Sequence, residues 1–491
     1  MPYCKKCGAS LENGDKFCST CGTAVAKACN KCGNPLKDDA KFCGKCGCPV
    51  DELVVVKKDT IPQKNYTTPE SIIEAAKNGD LEAQNILGDM YREGIGVTQD
   101  FYQAADWYQK AADYGKKESQ YWIGKMYLTG EGKIQDVTKA VEWLQKSAAQ
   151  GYTDAQYYLG LILESGYEGV PRDINKAFGW YMKAAGLGNA DAQNRLGILY
   201  GNGKVVPQDY KQSFNWYLKA AMQGHASAQS SIGDCFREGW GTAVDYYKAA
   251  TWYYKAANQG DTIAQYNLGI MNLLGQGIQK DKTKAAFWLG KAAEQNDPDA
   301  QNELGLMYEL GDGMPQDMHR AFELYQKSAN QNNATGQFKV GFFYLFGLAG
   351  IQDNSLALMW LQKAAEQGEK RAIHNLGTMY FEGEGVPQNY SIAHDWYMKA
   401  AMTGFTDSES MLGYMYATGT GVPSDYSKAQ QWLLKAADKN DARSLYILSL
   451  MYKDGLGVRM NYSMAVSYAR KAANLGYAPA IESLREWGVR Q

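Results

Sequence analysis

The chain has 491 residues, too many for one ordinary globular core, so either several domains or one extended repeat array is expected. Its formal net charge of −2 divides into +4 over residues 1–50 and −6 over the rest, which argues against a strong polyanion binder in either part. No stretch approaches the ~18 apolar residues of a membrane span, and the opening Met1-Pro2-Tyr3-Cys4-Lys5-Lys6 lacks the apolar run of a secretory signal.

The cysteines come first in chain order. Nine of the ten precede residue 50, in two sets of equal spacing: Cys4-x2-Cys7, ten residues, Cys18-x2-Cys21, then Cys29-x2-Cys32, ten residues, Cys43-x2-Cys46. Each CxxC lets two thiolates converge on one ion from a tight turn. Two such turns close a tetrahedral Cys4 shell around Zn²⁺ at roughly 2.3 Å per bond. The closed shell leaves no position for water, so the two expected ions are structural. Gly8, Gly22, Gly33 and Gly47 each follow a second cysteine, where positive φ lets backbone N–H groups turn toward the sulfurs. With so little apolar mass, metal binding is expected to supply most of the folding free energy, about 10 kcal/mol per site. A redox reading would need a βαβ context that is absent, and Cys48 reads as a spectator thiol. This usage, with no signal, favours a reducing cytoplasm.

Residues 3–50 resemble the double zinc-ribbon modules of multidomain proteins, giving ribbons at 1–25 and 26–50. The resemblance implies the fold and the metal only, because such modules contact nucleic acid in some proteins and protein in others. Eight thiolates and two Zn²⁺ bring the module's +4 close to neutral, which disfavours phosphate binding.

Residues 51–68 lose both the cysteine spacing and helical periodicity, carry Pro62, and read as a linker. Thr68-Pro69-Glu70 reads as an N-cap, a proline at the first helical position and a first-turn acid. From there an apolar-small pair recurs every 36 residues with one interval of 37, from Leu87-Gly88 through Leu268-Gly269 to Leu448-Ser449. A second anchor, Lys110-Ala111-Ala112, keeps the same step to Lys471-Ala472-Ala473, so eleven repeats are expected over 69–488. Apolar residues at Ala83, Leu87, Met90 and Tyr91, and at Ala104, Trp107, Tyr108 and Ala111, predict two amphipathic helices per repeat. The small residue at Gly88 is read as the place where Ala111 and Ala112 of the second helix approach. Gly94-x-Gly96 and its copies stop the first helix, and no phosphate-cradling glycine accompanies them. Half-repeats at Ser71 to Asn78 and Ala478 to Trp487 are expected to cap the ends.

The pattern LG-x-x-Y, G-x-G-V and W-Y-x-K-A-A-x-x-G resembles Sel-one-like repeats, relatives of tetratricopeptide repeats. The fold class implied is all-α, a right-handed α/α superhelical solenoid of eleven 36-residue helix-turn-helix repeats, preceded by the two small Cys4 zinc ribbons. The family's known role implies a non-enzymatic adaptor that binds protein. Ser449, Leu324 and Tyr468 depart from the pattern.

Tryptophan three residues before the repeated lysine, in nine of eleven repeats, reads as core packing shared by every repeat. A binding site is sought instead where repeats differ. By the tetratricopeptide likeness the concave wall carries residues two before, two after and five after the anchor. Phe338, Phe342 and Leu345, with His374, Phe381 and Tyr414, stand out there as a candidate apolar groove for a protein or peptide; the alternative is that the repeats bury them. Tyr121 and Tyr157 form a second candidate. His225, His319, His374 and His394 have no i, i+4 partner for a metal, and Cys235 reads as buried filler. The expected function is a cytoplasmic protein-interaction scaffold with structural zinc, with neither a small-molecule substrate nor a membrane. The competing reading makes the ribbons a contact for DNA or RNA and the solenoid a recruiting arm, which requires the ribbon lysines to share one face.

Overall fold

The structure is a computed structural model that describes Tyr66 and residues 68–489. The expected zinc ligands Cys4, Cys7, Cys18, Cys21, Cys29, Cys32, Cys43 and Cys46 lie outside the described residues. The chain divides into two compact units, the first ending at Gln135 and the second beginning at Asp136. The first holds α1 (Pro69–Lys77), α2 (Leu81–Glu93), α3 (Phe101–Asp113) and α4 (Lys117–Thr129). The second runs through α5 (Val137–Ala149), α6 (Thr153–Ser165), α7 (Ile174–Gly186), α8 (Ala190–Asn202), α9 (Tyr210–Met222), α10 (Ala226–Glu238), α11 (Tyr246–Asn258) and α12 (Thr262–Leu274). It continues with α13 (Lys282–Glu294), α14 (Pro298–Leu310), α15 (Met318–Asn330), α16 (Ala334–Phe346), α17 (Asn354–Glu366) and α18 (Lys370–Glu382). Its last helices are α19 (Tyr390–Ala401), α20 (Thr406–Thr418), α21 (Tyr426–Ala437), α22 (Ala442–Asp454), α23 (Tyr462–Asn474) and α24 (Ala478–Glu486). The fold class is an all-α repeat solenoid; α2 pairs with α3 in the first unit, and in the second each even-numbered helix from α6 to α22 pairs with the odd-numbered one that follows.

The second helix of every pair starts the same way. Asp100, Asp136, Asp173, Asp209, Asp245, Asp281, Asp317, Asp353, Asn389, Asp425 and Asn461 each accept a backbone N–H of the first turn. A cap of this kind stabilises a helix by about 1 kcal/mol. First helices end on left-handed glycines such as Gly94 (φ +70°). The second glycine of several loops does more than punctuate: a Cβ on Gly241 would stand 2.1 Å from the carbonyl oxygen of Tyr210 at the start of the preceding α9. That close approach belongs to the contact between successive repeats.

The anchor glycines are explained by a residue the sequence reading did not assign to them. A Cβ on Gly88 would lie 2.5 Å from Cε1 of Tyr108, and one on Gly233 would lie 2.5 Å from the same atom of Tyr253. At Gly269, Gly341 and Gly413 the contact is instead a leucine, Leu289, Leu361 and Leu433. Ala111 and Ala112 are buried as expected, but the ring of Tyr108 is what occupies the space a side chain at position 88 would need. Burial of a tyrosine requires a partner for its hydroxyl. Asp89, Glu164, Asp234 and Glu309 supply it for Tyr108, Tyr181, Tyr253 and Tyr325, and Thr378 for Tyr397.

A buried amide ladder joins successive repeats of the second unit. Gln193 Nε2 donates to the carbonyl of Ala185 at 3.1 Å, while its Oε1 accepts from Gln223 at 2.8 Å. The same amide-to-amide bond links Gln229 to Gln259, Gln265 to Gln295, Gln301 to Gln331 and Gln337 to Gln367. The ladder stops after that, because its next three positions are Ile373, Glu409 and Leu445.

Candidate functional site

The irregular repeats enclose a groove of about 860 Å³ between α18, α20 and α22, closed at one end by Tyr477 before α24. It forms where side chains are small. The register position that holds Phe338 in α16 holds His374 in α18 and Ser410 in α20, and the reduced bulk leaves space between the helices.

The sequence-predicted residues divide between groove and core. His374, Phe381 and Tyr414 come together in the groove wall. Phe381 packs edge-on against Tyr390 at 5.0 Å and against Tyr414 at 6.4 Å between ring centroids. Phe338 and Leu345 do not reach it: at 6% and 4% exposure they belong to the core with Leu361, Leu376 and Met379. The reason is cover from the next repeat, since the guanidinium of Arg371 lies 4.4 Å over the Phe338 ring. Phe342 is half-buried and wedged between Phe338 and Phe346, at 5.8 and 4.5 Å. The accessible site is therefore displaced toward the C-terminus of the sequence-predicted patch.

Residues that sequence reasoning missed complete the wall. Met411, Ile447 and Leu450 add aliphatic surface, and Tyr446 packs at a tilt against Tyr477, with ring centroids 5.4 Å apart. Part of their signal was present in the sequence, since α20 and α22 read Met411 and Ile447 at the position where the six preceding repeats carry Arg195, Ser231, Asn267, Glu303, Lys339 and Asn375. Ionisable groups line the rim: Glu382, Asp407 and Asp441 against Arg443. Asp441 caps α22 and accepts from Ser410 at 2.8 Å, and Arg443 donates to the sulfur of Met411 at 3.0 Å. His374 is hydrogen-bonded to Ser408 at 2.9 Å, and burial pushes its pKa down to about 4, so the ring is neutral at physiological pH. The site offers aromatic and aliphatic surface with a charged rim, which suits non-covalent recognition.

The other singled-out residues are structural. Tyr121 is buried, and Tyr157 is half-buried beside Tyr158 and Tyr181. The recurring tryptophans are half-buried rather than wholly interior, and the repeated lysine covers the exposed part, as Lys110 does over Trp107 at 3.7 Å and Lys146 over Trp143 at 3.9 Å. His225 caps α10, and His394 bonds the Tyr416 hydroxyl at 3.0 Å. Cys235 is buried, with its thiol pushed up to about 12 by burial and by Asp234, which rules against a thiolate nucleophile there. A cavity of about 290 Å³ beside it, between α8, α9 and α10, is lined by Gly201, Ser213, Tyr217 and Trp240. Among the described residues no cluster of His, Cys, Asp and Glu has the make-up of a metal site, and no helix is long and apolar enough to cross a membrane.

Comparison with known proteins follows the same division of the chain. A model of the double zinc ribbon matches residues 4–47. A model of the Sel1 repeat matches eleven times in succession, from residues 81–115 to residues 442–477. Among solved structures, the chain is similar to a protective antigen of uropathogenic Escherichia coli strains that displays an SLR fold, at 33% identity and TM-score 0.76, covering 85% of this chain and 89% of that one. It is also similar to a Sel1 repeat protein from Oxalobacter formigenes at 33% identity, covering 63% of this chain and 90% of that one, with TM-score 0.48. No curated protein matches the chain.

Proposed function

The chain belongs to the Sel1 repeat family, and from that premise we propose that it is a cytoplasmic scaffold that holds a protein partner in the groove of its last repeats. The observation that supports this reading is a single one: about 860 Å³ of accessible, aromatic-lined space at the place where the repeat pattern breaks. Elsewhere in the array the same register positions are spent on packing, as Phe338 and the tyrosine-acid pairs show. Side chains released from packing, together with empty volume of ligand size, are what a peptide needs in order to dock. The scaffold is non-catalytic in this reading. The ribbon cysteines, four to each of two Zn²⁺, hold the N-terminal module together and make it a second contact for the assembly.

A native-lysate capture tests the proposal, with the full chain as bait beside Tyr414→Glu and Leu450→Glu variants of unchanged helicity. A protein retained by the parent and lost from both variants supports the groove. Equal retention by all three overturns it.

A further inference from the structure

Three acids on the first helices of earlier repeats are neutralised in place: Glu164 by Arg195 at 2.8 Å, Asp234 by Arg237 at 3.2 Å and Glu309 by Lys339 at 2.9 Å. Glu382 and Asp407 are exposed and make no ion pair among the described residues. Glu382 stands at the C-terminal end of α18, where the helix's own free carbonyls already concentrate negative potential. Asp441 brings a third carboxylate to the same lining, and the only cation there is Arg443. His374, held neutral by burial, adds no counter-charge. Beside Glu382 lie the aromatic faces of Phe381 and Tyr414, the arrangement that attracts an ammonium or guanidinium.

Resting on the scaffold reading above, we propose that the groove selects a basic, apolar peptide segment. A lysine or arginine side chain sits against Phe381 and Tyr414 beside Glu382, an aliphatic or aromatic side chain sits against Met411, Ile447 and Leu450, and Asp407 and Asp441 stand at the other end of the groove, where α20 and α22 begin. The charge balance is the deciding argument. Three carboxylates against one guanidinium favour a cationic occupant, and the acids suppress acidic competitors by like-charge repulsion.

The test is selection of a random heptapeptide display library on the immobilised full chain, in parallel with Tyr414→Glu and with the double variant Glu382→Gln, Asp407→Asn. The expected result is a pool enriched in Lys or Arg near an aliphatic or aromatic residue. Its members should bind the charge-neutralised variant roughly five- to tenfold more weakly, with a further loss in high salt. An enriched pool that is acidic or charge-neutral, yet lost on Tyr414→Glu, overturns this inference while leaving the scaffold groove standing. A pool recovered equally on all three chains, or no enrichment over bare support, overturns both.

Discussion

The ring of Tyr253 occupies the space directly over Gly233, so that a Cβ added to the glycine would stand 2.5 Å from Cε1 of a fully buried side chain. An alanine there gains about 1 kcal/mol of helix propensity, but the ring has nowhere to retreat, and overpacking of this kind costs about 1–3 kcal/mol or more. Gly233→Ala is therefore expected to destabilise the chain by about 2 kcal/mol in urea unfolding. Gly179→Ala, in the exposed middle of α7 with nothing within 4 Å of its Cβ, is expected to stabilise by about 0.5–1 kcal/mol. Equal effects at the two sites would show that the tyrosine does not set the anchor glycine.

The hydroxyl of the same tyrosine donates to the Asp234 carboxylate at 2.7 Å, and burial holds that carboxyl above its usual range. Tyr253→Phe removes the donor and leaves a desolvated acid, at a cost of about 1.5–3 kcal/mol. Tyr397→Phe loses only a neutral partner, the Thr378 hydroxyl at 3.1 Å, and is expected to cost about 0.5–1.5 kcal/mol. Chemical denaturation of the two variants against the parent ranks them, and the reverse order would refute the charged-partner argument.

Periodicity made the repeat and the helix pairs legible, because every repeat must bury the same stripe against its neighbour. The partner of each anchor glycine was not legible, since Ala112 and Tyr108 both lie on the inward face and only three-dimensional packing decides which side chain crosses the helix gap. The Asp or Asn before each second helix was visible in the sequence, but its capping role was not assigned from it. The groove was found in part. His374, Phe381 and Tyr414 were chosen because they break the pattern, and so were Phe338 and Leu345, but Phe338 lies under Arg371 and both are packed into the core with Leu361 and Leu376. Cover from a neighbouring repeat depends on side-chain sizes two helices away, which one repeat's sequence does not encode.

For the ribbons the expectation is two zinc ions per chain, each held by four thiolates, bound independently of the helical array. Elemental analysis of the purified chain should return that ratio, and chelation should release the metal without changing the far-ultraviolet helical signal. A stoichiometry near zero, or collapse of helicity on chelation, would refute it.

Where the amide ladder fails, an ion pair takes its place. Glu409, 3% exposed, stands at the glutamine position and accepts from Lys439 at 2.8 and 2.9 Å, in the geometry that Gln229 and Gln259 show with two amides. Lys439→Met should cost about 3 kcal/mol or more, because it strands a buried carboxylate. Glu409→Gln combined with Lys439→Gln rebuilds the amide rung and is expected to restore stability to within about 1 kcal/mol of the parent. A double variant as unstable as the single one would mean that the rung is not interchangeable.

The groove also carries a pH signature. His374 titrates near 6.5 when unfolded and at about 4 when folded, chiefly because burial opposes its charge; Asp407 and Arg443 act in opposite directions, and Ser408, Tyr397 and Phe405 pack around the ring. Between those values the unfolded chain takes up a proton that the folded one refuses. The histidine's contribution is thus fully present above about pH 6.5 and is lost as pH falls toward 4, on the order of 3 kcal/mol in all. Denaturant midpoints at pH 7.5, 6 and 5 should fall more steeply for the parent than for His374→Asn, whose side chain can still meet Ser408 without titrating. Parallel profiles for the two chains would show that the imidazole is not held neutral in the groove.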